Sequence, residues 1–470
     1  MRFLVILFAC LLLSGEIAIA AEKPNILLIV TDDQRYDDLD DFMPFTKETI
    51  FNAGLQFAKG YITTPACCPS RATILTGKYA SEHKVTGNRY VLEQKTVVQR
   101  LHEAGEYFTG IIGKYLNTWP GDQRSEFDYW VTFAGGSTQY YNPTLNVNGT
   151  WQKTPGYITN LFRDYTLEFL DRATESNKPF FCYLAVNAPH SPTTPEQDDR
   201  RLFLNFPKSR PPSFAEGNRS DKPKWLRRIE PLSPHKIAQI DDFRLRQRQT
   251  LASVDRAIAA ILQKLDDEGK LENTAIIFIS DNGVMSGEHG LTSKDTVYEE
   301  AIHVPFAIRY PGVIESGVSD ALVANIDIAP TVYELAGLPV PGDVSGTSLL
   351  QLHSPELEWR KELLIEGFRA KGPRTPFSAV HTGDFVYVEN ADKYPGFDVN
   401  RTELYDLKAD PYQLTNVTHS KEYLEIKKDL HSRLDALLDA HRGYRNLSRP
   451  DGTKLSYRPE PPELGRSSKK

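Results

Sequence analysis

The sequence predicts an α/β fold: a mostly parallel sheet flanked by helices, followed by a smaller C-terminal antiparallel sheet with a packed helix. Three observations carry this expectation. Short apolar runs at Asn25 to Val30, Phe108 to Ile112, Phe180 to Val186, Ala275 to Ile279 and Val304 to Ile308 lack period-two alternation, as strands covered on both faces do. Amphipathic helical stretches separate the runs. The clearest spans about Gln247 to Asp267, with Leu251, Val254, Ile258, Ile261, Leu262 and Leu265 on one stripe and Gly269 as the stop. Strands alternating with helices imply a parallel sheet with both faces covered. From about Glu358 the texture shifts to short alternating segments such as Phe385-Val386-Tyr387-Val388, then a helix from about Tyr423 to His441.

At the amino terminus, Arg2 precedes an apolar run from Phe3 to Leu13, and Ala18-Ile19-Ala20 supplies small residues. This order predicts an export signal over residues 1–20. The destination would be secreted or periplasmic, or lysosomal or extracellular in a eukaryotic host. No later stretch has the apolar length of a membrane span. About 450 residues would then remain, more than one compact core usually holds. We expect a large domain over 21–357, a smaller subdomain over 358–445, and a surface tail over 446–470 rich in Pro, Arg, Ser and Lys. A net charge of -7 argues against nucleic acid as a partner. Cys67, Cys68 and Cys182 would remain in the exported chain, an odd number where disulfide frameworks use even sets.

Four of the apolar runs end in polar groups: Asp32-Asp33, Gly113-Lys114, Asn187-Ala188-Pro189-His190 and Asp281-Asn282-Gly283. A parallel sheet presents ligands at the carboxyl ends of its strands, so one cleft could gather all four. Asp32, Asp33, Asp281 and Asn282 are hard oxygen donors suited to calcium or magnesium rather than zinc. Paired aspartates also cap helices or face water. Pro69 suits the first turn of a helix ending at Gly77, which puts Cys67 at a helix amino terminus where free N–H groups attract an anion. By chemistry alone Cys67 is either a reactive thiol or half of a structural pair.

Cys67-x-Pro69-Ser70-Arg71, with Thr76-Gly77-Lys78 downstream, resembles the signature of the type I sulfatases, in which the first cysteine is oxidised to formylglycine (3-oxoalanine). The resemblance runs in order along nearly the whole chain. It takes in Asn25 to Asp33, Gly113-Lys114, Ala188-Pro189-His190, Ser280-Asp281-Asn282-Gly283, Gly287-Glu288-His289-Gly290-Leu291 with Lys294, and Leu404-Tyr405-Asp406-Leu407. Within the family, Asp32-Asp33-Gln34, Cys67-Cys68-Pro69 and Gly113-Lys114-Tyr115-Leu116-Asn117 are most similar to N-acetylglucosamine-6-sulfatases and heparan 6-O-endosulfatases. The resemblance implies an alkaline-phosphatase-like fold and release of inorganic sulfate from a sulfated carbohydrate. It implies one Ca2+, with Mg2+ second, held by Asp32, Asp33, Asp281, Asn282 and the modified Cys67. Cys67, Arg71, Lys114, His190 and Lys294 would be catalytic, and Lys78, His83, Asn117 and His289 would contact substrate. A formylglycine-generating enzyme or anaerobic maturase would be a required partner.

One departure stands out: many sulfatases place a histidine two residues after the lysine of the Gly-Lys motif, where this chain has Leu116. Asn117 and His83 are the candidates to take over its role. In the mechanism that the resemblance implies, one hydroxyl of hydrated formylglycine attacks sulfur, and loss of a proton from the other expels sulfate, a route that a single serine hydroxyl does not offer. His190 would protonate the leaving sugar oxygen. Between Arg200 and Arg228 stand nine Lys or Arg against two acids, a Pro-rich basic loop that could grip a polyanionic chain. The rival readings are a phosphomonoesterase or phosphonate hydrolase of the same superfamily, which would more often carry Thr or Ser at position 67, and a non-catalytic sulfated-glycan binder, in which the nucleophile or metal set would be eroded.

Overall fold

The computed structural model describes residues 23–368, 375–390 and 402–441. The expected signal (1–20) and tail (446–470) lie outside the described residues. The main sheet has ten strands: β1 (Asn25–Thr31), β2 (Leu55–Tyr61), β3 (Phe108–Gly113), β4 (Tyr129–Thr132), β5 (Thr144–Val147), β6 (Thr150–Lys153), β7 (Phe180–Ala185), β8 (Thr274–Ser280), β9 (Phe306–Arg309) and β10 (Gly317–Ala324). Their spatial order is β10-β2-β9-β8-β1-β7-β3-β4-β5-β6. The stretch β8-β1-β7-β3-β4 is parallel throughout, and β9, β5 and β6 run antiparallel to their neighbours. Every residue of β1, β7 and β8 is buried, which explains why these strands read as unbroken apolar runs.

Helices cover both faces. The helices Cys67–Thr76, Val97–Ala104 and Ile328–Leu335 pack on one face through Ile74, Leu75, Leu101 and Val332. The helices Ile158–Ser176 and Pro234–Asp267 cover the other through Phe162, Phe169, Val254 and Ile258. A second, antiparallel sheet of β11 (Leu363–Gly367), β12 (Phe377–His381), β13 (Phe385–Asn390) and β14 (Thr402–Asp406) carries the helix Leu424–Ala440. That helix packs through Leu430, Leu434 and Leu438.

Two expected elements differ in extent. The helix expected from Gln247 begins at Pro234 and runs 34 residues. Its added amino-terminal third is largely polar and starts where Ser233 accepts from the Lys236 N–H, a cap that an apolar stripe does not reveal. The run Val304 to Ile308 forms a strand only from Phe306, and that strand is antiparallel, sandwiched between β8 and β2.

Candidate active site

Four parallel strand ends deliver the site's side chains to one edge of the sheet. Thr31 of β1 pairs with Ser280 of β8, so Asp32-Asp33 and Asp281-Asn282 emerge side by side. Asp281 N–H donates to Thr31 O at 3.0 Å, and Asp32 N–H donates to Ala188 O at 3.1 Å. Lys114 leaves β3 directly after Gly113, which has φ +113°, and a Cβ on Gly113 would stand 1.9 Å from Ala185 O. Only a glycine allows that close approach of β3 to β7 and the turn that sends Lys114 toward Asp32.

Cys67 opens the helix Cys67–Thr76 behind an extended Ala66; the Cys68 N–H donates to Asn88 Oδ1 at 3.1 Å, Pro69 has no N–H, and the Ser70 N–H bonds Ala66 O. The Asp295 N–H bonds Pro65 O at 3.0 Å, tying the loop that carries Lys294 to the loop that carries Cys67. Lys294 Nζ contacts Asp33 Oδ1 and reaches Cys67 Sγ at 2.7 Å and Asn282 Oδ1 at 3.2 Å. Cys67 Sγ is 3.7 Å from Asp32 Oδ1. Lys114 Nζ donates to Asp32 Oδ2 at 2.7 Å. Arg71 Nε donates to Asp281 Oδ2 at 2.8 Å and its Nη1 to Lys114 O at 3.0 Å, while Nη2 is buried without a hydrogen-bond partner. His190 Nε2 lies 3.8 Å from Asp33 Oδ2. Its Nδ1 is 2.7 Å from Ser191 O; since a carbonyl only accepts, Nδ1 carries the proton and Nε2 is the atom open to exchange.

Ionisation follows the crowding. Burial, then the charge of Asp281, pushes the Asp32 carboxyl up against the pull of Lys114. Burial also opposes ionisation of Asp33 and Asp281, but Lys294 and His190 hold Asp33 down, and Arg71, Lys114 and Lys294 hold Asp281 well below the usual carboxylate range. Burial pushes the Cys67 thiol up to about 12. Three carboxylates thus face three fixed cations. Asp32, Asp33, Cys67 and Asp281 each offer an atom within 4.8 Å of the others, and Asp32, Cys67 and His190 do so as well. Asn282 Oδ1 joins this set through Lys294. A compact group of hard oxygens, with one carboxyl raised by burial and by its anionic neighbour, fits a divalent cation such as calcium.

Four residues expected to contact substrate are placed apart: among the described residues, no hydrogen bond or ion pair joins them to this cluster. His83 is buried, with Nε2 3.1 Å from Thr73 Oγ1 and Nδ1 accepting from Val85 N–H, and burial pulls it down to about 3. It serves as a neutral internal tie for the helix that begins at Cys67. Lys78 bonds Gln94 and Asp343 at the far end of that helix. His289 bonds Glu216 at 2.6 Å and stacks near Tyr298, its Nε2 buried without a partner. Asn117 is pressed by Gly136, and its Oδ1 is buried and unpartnered. Leu116 is a core residue of the apolar cluster, which suits a non-histidine there.

The basic loop divides: Arg200, Arg201, Lys208, Arg210, Arg227 and Arg228 are exposed, whereas Arg219 and Lys222 are buried. Arg219 is buried on His289 O and Ile229 O, Lys222 on Gln413 O, and Arg210 pairs with Asp241. Two contributors escape sequence reading. Tyr140 OH donates to His190 O at 2.8 Å, with nothing local to announce it. Arg35 donates through Nη1 to Val284 O and Glu288, clamping the Asp32-Asp33 loop to the loop after Asn282; its place just after Asp32-Asp33-Gln34 is the only signal in the sequence.

Residues 24–338 match the sulfatase family model, and residues 287–440 match the model of the C-terminal region of N-sulphoglucosamine sulphohydrolase. A putative extracellular sulfatase Sulf-1 homolog of Caenorhabditis elegans is 36% identical over 74% of this chain, which spans only 53% of that relative's length. The human N-acetylglucosamine-6-sulfatase is 31% identical over 88% of this chain and 84% of its own. A solved structure in complex with its substrate D-glucosamine-2-N,6-O-disulfate superposes with a TM-score of 0.80 at 26% identity, covering 90% of this chain and 98% of that one.

Proposed function

Because the chain belongs to the sulfatase family, a family of sulfuric ester hydrolases, we propose that it releases inorganic sulfate from a 6-O-sulfated glucosamine-type sugar of a glycosaminoglycan-like chain. The observation that carries this reading is the convergence of Cys67 at a helix amino terminus with Asp32, Asp33, Asp281, Arg71, Lys114 and Lys294. The 6-O position is supported by the similarity to N-acetylglucosamine-6-sulfatase and to the structure bound to D-glucosamine-2-N,6-O-disulfate.

A sulfate ester carries negative charge that repels an anionic nucleophile, so positive charge has to be in place first. The protein's own charges in the cluster balance, three carboxylates against three cations. Calcium held by Asp32, Asp33, Asp281, Asn282 and residue 67 would supply the surplus charge that polarises the sulfate oxygens. Formylglycine made from Cys67 by a maturation enzyme would supply an oxygen nucleophile in place of a buried, protonated thiol. Arg71 Nη2, buried 3.7 Å from Asp32 Oδ2 but without a hydrogen bond, would donate to a sulfate oxygen, with its guanidinium plane fixed by Asp281 and Lys114 O. Lys114 and Lys294 add point charges near residue 67. His190, with Nδ1–H held by Ser191 O, takes up a second proton at Nε2 and gives that proton to the leaving sugar oxygen as the ester bond breaks. No helix among the described residues is long and apolar enough to cross a membrane. With the expected export signal, the enzyme would work outside the cytoplasm.

The test is sulfate release from N-acetylglucosamine-6-sulfate by protein co-produced with a maturation enzyme, with and without a chelator. Release that falls at least a hundredfold on chelation and returns with Ca2+ supports the reading. Turnover of a phosphate monoester in preference to the sulfate would overturn it.

A further inference from the structure

β6 places an exposed aromatic on the catalytic edge of the sheet, some distance along from the cleft. Trp151 pairs with Asn146 of β5, Asn146 with Thr132 of β4, and Thr132 with Gly113 of β3, the residue before Lys114. Three strand spacings of about 4.8 Å put the Trp151 backbone about 14 Å from Gly113 and at the same level of the sheet. Its side chain lies on the face that carries the Cys67 helix. Trp130 Nε1 and Thr132 Oγ1 donate to Gly121 O, and the Trp151 ring packs on the same Gly121, where a Cβ would stand 2.5 Å from Cη2. Gly121 has φ +96°, so bare backbone makes a seat that holds the indole in place. Gln152, of opposite parity, turns to the other face and bonds Tyr165 OH. Seated in this way, Trp151 is still 41% exposed. Lys153, two residues on and therefore on the same face, is exposed one pleat beyond the level of Gly113.

We propose that Trp151 and Lys153 form a distal subsite for a neighbouring sugar of an anionic oligosaccharide substrate, an inference that rests on the function proposed above. A fixed indole offers an apolar plane to the C–H face of a pyranose at little entropic cost. The ammonium of Lys153 meets a sulfate or carboxylate on the same or the next sugar. A separation of about 14 Å matches a sugar a few rings from the scissile sulfate rather than the sugar that bears it.

The test compares kcat/KM for N-acetylglucosamine-6-sulfate with that for a heparin-type sulfated octasaccharide in wild type, Trp151→Ala, Trp151→Phe and Lys153→Ala. Trp151→Ala should raise KM for the octasaccharide about five- to tenfold and leave the monosaccharide unchanged, with Trp151→Phe retaining part of the preference. Lys153→Ala should weaken only the octasaccharide, by an amount that shrinks as salt rises. Unchanged octasaccharide kinetics, or equal losses on both substrates, would overturn the subsite. If wild type releases sulfate from neither substrate, the proposed function falls. The subsite is then decided by calorimetric titration of the octasaccharide, where weaker binding by Trp151→Ala supports it and equal binding overturns it.

Discussion

Arg71 uses its guanidinium in three directions: Nε on Asp281, Nη1 on Lys114 O, and Nη2 toward Asp32 Oδ2 at 3.7 Å with no hydrogen bond. A lysine cannot reproduce that planar fork. Arg71→Lys should therefore lower kcat by about 10²- to 10³-fold while the protein stays folded, as steady-state sulfate release beside a thermal melt would show. His83 tests the opposite kind of residue. Burial holds it down to about 3 from an unfolded 6.5, so its contribution is intact above pH 6.5 and fades as pH falls toward 3. By linkage it should cost on the order of 2 to 3 kcal/mol at pH 4.5 relative to pH 7.5. Urea titrations at the two pH values should give His83→Gln a loss smaller by that amount, and an identical loss would contradict the assignment. Residues that follow directly from strand ends, such as Asp32, Asp33, Lys114 and Asp281, could be read from the sequence because strand termini announce them. The internal engagement of His83, and the pairing of His289 with Glu216 across a long sequence separation, could not, because burial and distant partners leave no local pattern.

At the scale of elements, the parallel core was legible because strands covered on both sides are continuous apolar runs. β2, β10 and the β4-β5-β6 edge were not named in advance. They are short or partly exposed, as in the burial patterns of β10 and β6, and they rely on neighbours supplied from elsewhere in the chain. The β3–β7 contact that aims Lys114 depends on the absence of a side chain at Gly113. Gly113→Ala places a methyl 1.9 Å from Ala185 O and must part the strands. It should destabilise the protein by at least about 2 kcal/mol and depress activity further than the loss of folded protein accounts for, as paired denaturation curves and kinetics would show.

Across the whole molecule, the smaller sheet is bound to the larger domain through buried polar contacts. His381 of β12 meets Glu299 at 2.9 Å, Tyr298 OH donates to Glu403 of β14 at 3.0 Å, and Lys222 reaches Gln413 O. A chain ended at residue 357 would strip partners from Glu299 and Tyr298 beside Ala301 and Leu291. It should lack a cooperative thermal transition, and recovery of a folded, active truncation would contradict that dependence. The central claim is that an oxidised residue 67, seated among Asp32, Asp33, Asp281 and Lys294, is the nucleophile. It is tested most directly by mass analysis of the tryptic segment Gly60 to Arg71 in preparations of graded specific activity. The account predicts sulfate release in proportion to the fraction of Cys67 converted to aldehyde; full activity from protein whose Cys67 is unmodified would contradict it.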